Sequence, residues 1–332
     1  MDSCYCCFFK IYYKAQKMID NYIKIVKAVM FGHAIADALG VPVEFASREE
    51  LDNAPVTDME GFGTYPYPEG CWSDDTSMSL ATLDSLSNGM LDFDDIMIKF
   101  GAWYYKDEYT PTWEMFDVGN NCSFAIDNYF DKHKTIAECG LHDEYSNGNG
   151  SLMRIHPFIL YTFVKQLPFE DMIDMIHTAS ALTHAHERSK VACGIYAFIL
   201  THLLQKNDKS AVHMALQQAK TYYFDNVEIT HYANLFRNDF DKTERSKIKS
   251  GGYVVDTLEA AIWCLLTTDN YKECVLKAVN LGDDTDTVAA IAGGLAGALY
   301  GYSSIPTEWI SVLKRKEYIL DLCEKSVKTW CQ

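Results

Sequence analysis

Apolar residues along this chain recur at three- and four-residue steps far more often than at alternate positions. In HERSKVACGIYAFILTHLLQ, residues Val191, Ile195, Tyr196, Phe198, Ile199 and Leu203 form a face wide enough to pack against several neighbours. The same spacing predicts helices over 20–39, 76–88, 92–106, 151–165, 169–181, 209–224, 256–267, 271–280, 286–300 and 307–330. Few segments alternate with period two, so the pattern predicts an all-α fold. Connections such as SREELDNAPVTDMEGFGTYPYPEG (47–70) are long and rich in Gly and Pro, the kind of ordered loop on which a site is built. Gly293, Gly297 and Gly301 fall four apart, which predicts a last central helix closely approached by a neighbour.

Composition narrows the picture. The chain has 332 residues, 48% of them hydrophobic, and no Pro/Ser/Gly-rich linker or 20–50-residue repeat. The expected organisation is a flexible N-terminal extension over 1–17 and a single domain over 18–332, with the meaningful pattern beginning near Ile23 and Met18 or Met30 as candidate starts. A formal charge of −17, with no cluster of Lys and Arg, argues against nucleic acid as the primary ligand. Eleven cysteines scattered through helical runs read as reduced, buried thiols, the usage expected of a cytoplasmic protein. Cys4, Cys6 and Cys7 lack the downstream Cys/His pair of a zinc site. No secretory signal and no run of 18 uncharged apolar residues is present, so no membrane association is expected. Nothing indicates an obligate dimer, and a monomer is expected.

Candidate chemistry lies in two acidic helix starts, GCWSDDTSMSLATLDSL (70–86) and LGDDTDTVAAIAGGLAGALYG (281–301). A single S-D-D-T reads as a helix cap, since Asp and Ser accept from the free N–H groups of a first turn. Capping needs one side chain, however, and Asp74 and Asp75 adjoin Ser73 and Thr76, while Asp283, Asp284 and Asp286 adjoin Thr285 and Thr287. Crowded carboxylates repel unless something positive sits between them. An all-oxygen set suits a hard cation, Mg²⁺ or alternatively Mn²⁺, and two facing clusters could hold an ion pair about 3.5–4 Å apart. Spacing alone leaves caps and a shared site as equal readings.

Several ordered motifs, GHAIADALGVPVEF, GCWSDDTSMSLATLDSL, FDVGNN, NGNGSLMRIHP, LTHAHERS, SGGYVVDTLEAAIWCLL and NLGDDTDTVAAIAGGLAGALYG, resemble those of the ADP-ribosylglycohydrolase family over about residues 23–325. The resemblance implies an orthogonally packed all-α bundle, a centre of two Mg²⁺ ions, and hydrolysis of the bond between the distal ribose of ADP-ribose and its acceptor. By position it implies metal ligands at Ser73, Asp74, Asp75, Asp284, Asp286 and Thr287, with Asp37 an acid near the centre. Glu44 is the first candidate for general base or metal-bridging gate, with an ordinary loop carboxylate as the alternative. Asp117 matches an acid facing the ribose, or else caps the helix that follows. Gly119 in the same motif is an expected substrate contact.

Gly148, Asn149, Gly150 and Ser151 form a turn whose N–H groups could cradle a diphosphate. His184 and His186 lack a third soft ligand for zinc, so His184 is expected to touch substrate or make a structural hydrogen bond. Arg154 is open between phosphate and a structural ion pair, and Tyr253 between stacking on adenine and packing. The chain departs from the family at Ala36 and Asp283, where glycine is usual, and at Asn121 and Cys122, often threonines. The implied function is removal of mono-ADP-ribose from protein side chains, arginine favoured. A hydrolase of a small ADP-ribosyl compound and a non-catalytic ADP-ribose-binding protein are the alternatives.

Overall fold

The protein is described here by a computed structural model, which covers the backbone from Asp2 to Gln332 and side chains from Lys14. Cys4, Cys6, Cys7 and most of the expected extension therefore lie outside the residues whose side chains are described. The α-helices are α1 (Asp2–Gly40), α2 (Arg48–Asn53), α3 (Asp74–Leu86), α4 (Phe93–Lys106), α5 (Asn120–Phe130), α6 (Ile136–Cys139), α7 (His156–Lys165) and α8 (Phe169–Ala181). They continue with α9 (Glu187–Gln205), α10 (Ser210–Tyr222), α11 (Val254–Leu266), α12 (Tyr271–Val279), α13 (Thr285–Tyr300), α14 (Thr307–Val312) and α15 (Lys316–Trp330). Among the described residues there is no β-strand, only the isolated bridges Leu141–His184 and Gly148–Tyr253.

Two predicted helices are interrupted, each for a local reason. The 151–165 run becomes a single 3₁₀ turn, Leu152–Arg154, followed by α7, whose first turn carries Pro157. Proline lacks an N–H and is preset for a helix start, so it begins a new helix better than it continues an old one. The 307–330 run breaks where Lys314 N–H donates to the Gly70 carbonyl (3.0 Å) and Arg315 adopts a φ of 45°.

The pairing of α1 with α13 sets the position of the site. α13 is buried from Thr285 to Leu299, as expected of a central helix apolar all round. A Cβ on Gly293 would fall on the carbonyl oxygen of Gly32, one on Gly297 on that of Ala28, and one on Gly40 on the backbone of Asp286. Glycine at these places lets two backbones touch, which brings the end of α1 against the start of α13. Gly301 departs from the predicted stripe: at φ 80° it ends α13 and faces open space. Lys14–Val43 is long and apolar enough to cross a membrane, but 83% of its most apolar window is buried in the fold, so it serves as a core helix. Around this pair sit large buried side chains including Trp72, Trp103, Phe100, Phe158 and Phe198. Each contributes roughly 1.5–3 kcal/mol by leaving water.

Candidate active site

The acidic starts of α3 and α13 meet beside the end of α1, and α1 itself supplies the main cap for α3. Asp37 Oδ1 accepts from the Ser73 N–H (2.9 Å), and its Oδ2 accepts from the Thr76 N–H (3.1 Å) and hydroxyl (2.6 Å). Ser73 Oγ accepts from the Asp75 N–H at 3.3 Å. With the first-turn donors met in this way, the carboxylates of Asp74 and Asp75 are released from capping. Asp37 is thus a structural clamp with both oxygens engaged, close to the centre but not free to serve it.

The two starts are joined directly. Asp75 Oδ2 accepts from the Ser73 hydroxyl and from the Thr287 hydroxyl, both at 3.1 Å. On the α13 side, Asp286 Oδ1 accepts from the Thr287 N–H (2.9 Å), and Asp284 Oδ2 accepts from the Asn149 amide (2.7 Å). The Thr285 hydroxyl donates to the Gly40 carbonyl at 2.8 Å, locking the start of α13 to α1.

Two long loops bring further acids. Glu44 follows α1, Asp117 precedes α5, and one carboxylate oxygen each from Glu44, Asp117 and Asp286 lie within 4.8 Å of one another. Asp117 is held at φ 53°, in the left-handed region that only a few side chains tolerate. Tyr65 lies close enough to Glu44 and Asp117 to restrain the rise of their pKa values. Phe116 stacks on Tyr65 and Tyr67, at 4.9 and 4.4 Å between ring centroids, fixing one loop to the other.

Burial and mutual repulsion hold these acids well above the ordinary carboxylate range. Burial, reinforced by Asp117, raises Glu44 to about 8. Burial, reinforced by Asp284, raises Asp117 to about 6, and burial raises Asp37 to about 6 against its hydrogen bonds. Asp74, Asp75 and Asp286 rise well above their usual values, burial first and neighbouring carboxylates second. Asp75 Oδ1, Asp286 Oδ2 and Glu44 Oε2 are buried without any hydrogen-bond partner. Buried acceptors left unpaired are unfavourable, and an all-oxygen set with repelling charges fits a hard divalent cation. Glu44, Asp117 and Asp286 present oxygens close enough to one another to share such an ion.

Beside this centre opens a cleft of about 370 Å³, lined in part by Glu44, Phe45, Asp74, Asp117, Gly119, Asn149, Gly150, His184, Asp284 and Thr287. Gly119 lines it and also directs its N–H toward Asp74 Oδ2 at 3.4 Å. Asn149 lines it too, but its amide serves Asp284 and the Thr257 hydroxyl (3.0 Å), so it braces a carboxylate. His184 is buried against the Thr183 hydroxyl (2.8 Å), and burial with Arg154 nearby lowers its pKa to about 3, leaving a neutral ring.

Four of the expected positions have partners elsewhere in the fold. The Ser151 side chain does not line the cleft: its Oγ accepts from Ser180 (2.9 Å) and contacts Cys193, because the chain turns inward into the 3₁₀ segment. The Asn149 N–H is not free for a diphosphate, since it donates to the Gly252 carbonyl at 3.0 Å. Tyr253 is not among the cleft-lining residues; it immediately precedes α11, with the Arg188 guanidinium 5.9 Å from its ring. Arg154 is fully buried with no carboxylate partner, bonding Thr183 Oγ1 (2.7 Å) and lying over the Phe100 ring. Residues missed in the sequence are Tyr65, which acts on both loop acids, and Tyr145 and Phe45, exposed aromatics on the cleft. Tyr65 lies in the Gly/Pro-rich loop that marked the region without marking the residue.

Residues 18–332 match the family model described as ADP-ribosylglycohydrolase. The chain belongs to that family. It is 34% identical to the ADP-ribosylarginine hydrolase Tri1 of Serratia proteamaculans, over 90% of this chain and 78% of that protein. It is 32% identical to the ADP-ribosyl-[dinitrogen reductase] glycohydrolase of Rhodospirillum rubrum, over 86% and 88% respectively. Among solved structures, an ADP-ribosylglycohydrolase-related protein complex superposes with a TM-score of 0.77 at 26% identity, covering 93% of this chain and 99% of that one. The protein is therefore an enzyme, an ADP-ribosylglycohydrolase with an all-α fold. The departures from the family pattern leave its acids in place: Ala36 is buried where α1 meets Gly293, and Asn121 and Cys122 line the cleft.

Proposed function

We propose that the enzyme removes mono-ADP-ribose from arginine side chains of modified proteins in a magnesium-dependent hydrolysis. The observation that carries this is the convergence of Glu44, Asp117 and Asp286 within 4.8 Å, with buried oxygens of Asp75, Asp286 and Glu44 left without partners. Identity above 30% to hydrolases named for ADP-ribosylarginine and for ADP-ribosyl-dinitrogen reductase supports the choice of acceptor.

In this reading Ser73, Asp74, Asp75, Asp284, Asp286 and Thr287 would hold two Mg²⁺ ions. When bound, the ions would supply positive charge beside the distal ribose, stabilising charge that develops there. The chain's own groups do the rest. Glu44 Oε2, buried and without a partner, takes a proton from the attacking water. Asp117 positions the same water or the ribose, and Tyr65 orients both carboxylates. Water adds to the anomeric carbon as the bond to the acceptor nitrogen breaks, giving ADP-ribose and, after proton transfer to the leaving nitrogen, the unmodified arginine. Asn149 keeps Asp284 in place, and neutral His184 offers a hydrogen-bonding wall.

The test is mass spectrometry of ADP-ribose released from arginine-modified and serine-modified proteins, with Mg²⁺ and with EDTA. Metal-dependent release from the arginine-linked substrate is the expected result. Release from the serine-linked substrate alone would overturn the acceptor assignment, and equal release in EDTA would overturn the metal dependence.

A further inference from the structure

Phe45 and Asp283 are paired backbone to backbone at the cleft edge. The Phe45 N–H donates to the Asp283 carbonyl (2.7 Å), and the Asp283 N–H donates to the Ala46 carbonyl (2.8 Å). Both residues sit in the left-handed region, at φ 66° and 62°, where a bulky aromatic in particular is seldom found. Phe45 is nevertheless 69% exposed and lines the cleft, and Asp283 is exposed beside it. An apolar ring and a carboxylate are thus held facing water next to Glu44 and Asp284 respectively, one residue out from the catalytic centre.

This lip is built rigidly. Arg48 donates from Nε to the Leu281 carbonyl (2.8 Å), joining the chain after Phe45 to the 281–283 turn, and from Nη1 to the Arg245 carbonyl (2.8 Å) and Nη2 to the Ile248 carbonyl (2.6 Å), anchoring it to the 245–248 segment. Gly282, at φ 81°, lies so close to Arg48 that a Cβ would meet its backbone nitrogen at 2.7 Å. An exposed aromatic ring on the cleft, with an exposed carboxylate carried on the backbone paired to it, suits one ligand chemistry in particular. A guanidinium stacks on aromatic rings and pairs with carboxylates, whereas a hydroxyl acceptor gains from neither charge nor stacking.

We propose that Phe45 and Asp283 form the acceptor subsite, receiving the guanidinium of the arginine from which ADP-ribose is cleaved. This rests on the arginine reading above and assigns that selectivity to two residues outside the metal-binding set. Asp283 adds this carboxylate at a position of the motif where a side chain is strained, and its exposure places it for an acceptor rather than for an ion.

The experiment compares wild type with Asp283→Asn and Phe45→Asn, since asparagine tolerates the left-handed backbone at both positions. Steady-state kinetics are measured on ADP-ribosylarginine and on a serine-linked ADP-ribosyl peptide, alongside inhibition by free ADP-ribose. Each variant is expected to raise KM for the arginine substrate roughly 3- to 10-fold with little change in kcat, and the Asp283 effect shrinks in high salt. Inhibition by free ADP-ribose stays as in wild type. An unchanged KM in both variants would overturn the subsite while leaving the arginine reading intact, as would a matching loss of ADP-ribose affinity. Wild type that cleaves only the serine-linked peptide would overturn both.

Discussion

Asp37 on α1 caps Thr76 on α3: one carboxylate oxygen accepts both the backbone N–H (3.1 Å) and the hydroxyl (2.6 Å) of that residue. A carboxylate from one helix thereby satisfies the start of another and leaves Asp74 and Asp75 for a different task.

Asp37→Ala should therefore be costly in two ways. It strands buried N–H groups at Ser73 and Thr76, with an expected loss of about 2–4 kcal/mol in denaturant unfolding. It should also weaken Mg²⁺ binding, because Asp74 or Asp75 would be drawn back to capping. Unchanged stability would show that these bonds do not carry the junction.

Stability should depend on pH and on metal together. Glu44 rises from 4.5 to about 8, and Asp37 and Asp117 from 3.8 to about 6. With folded pKa values raised, this contribution to stability is fully present below about pH 4 and is lost as pH rises through about 6 and then about 8. In EDTA the melting temperature should fall between pH 5 and 8, and Mg²⁺ should restore it most at pH 8. A melting curve unaffected by Mg²⁺ at pH 8 would count against the cation site.

Tyr65 lowers the pKa of both Glu44 and Asp117 from where burial would otherwise leave them. In Tyr65→Phe both groups should hold their protons to higher pH, moving the acidic limb of the kcat/KM profile upward. A profile that merely drops in height without moving would make Tyr65 a packing residue.

Gly293→Ala tests the contact that places the site. The added Cβ meets the Gly32 carbonyl and the Ala36 side chain, both on the buried face of α1. Forcing the helices apart should lower stability by about 1–3 kcal/mol, and reduce Mg²⁺ affinity because Gly40 and Asp286 share the same seam. Wild-type metal binding in this variant would show that the seam does not set the ligand geometry.

The helices and the two acidic starts were legible because their signals are local. Apolar spacing marks α3, α9 and α13 directly, and an excess of carboxylate over what capping needs marks Asp75 and Asp286. What distant parts of the chain decide was not legible. Ser151 looked like part of a phosphate cradle, but Ser180 and Cys193, far along the chain, claim its hydroxyl. Asp37 read simply as an acid near the centre, and its service to Ser73 and Thr76 depends on how α1 crosses α3. Tyr65 sits among several aromatics in one loop, and only its juxtaposition with Glu44 and Asp117 distinguishes it. The Asp283 departure is visible against the family motif, while its left-handed backbone and its pairing with Phe45 are not.

The most direct measurement takes one preparation each of wild type and Asp286→Ala, titrates both calorimetrically with Mg²⁺, and assays both for ADP-ribose release from arginine-modified protein. Saturable Mg²⁺ binding and ADP-ribose release are expected in wild type, with both lost together in the folded variant. Full turnover by Asp286→Ala would contradict the claim that the two acidic helix starts form one metal-dependent site.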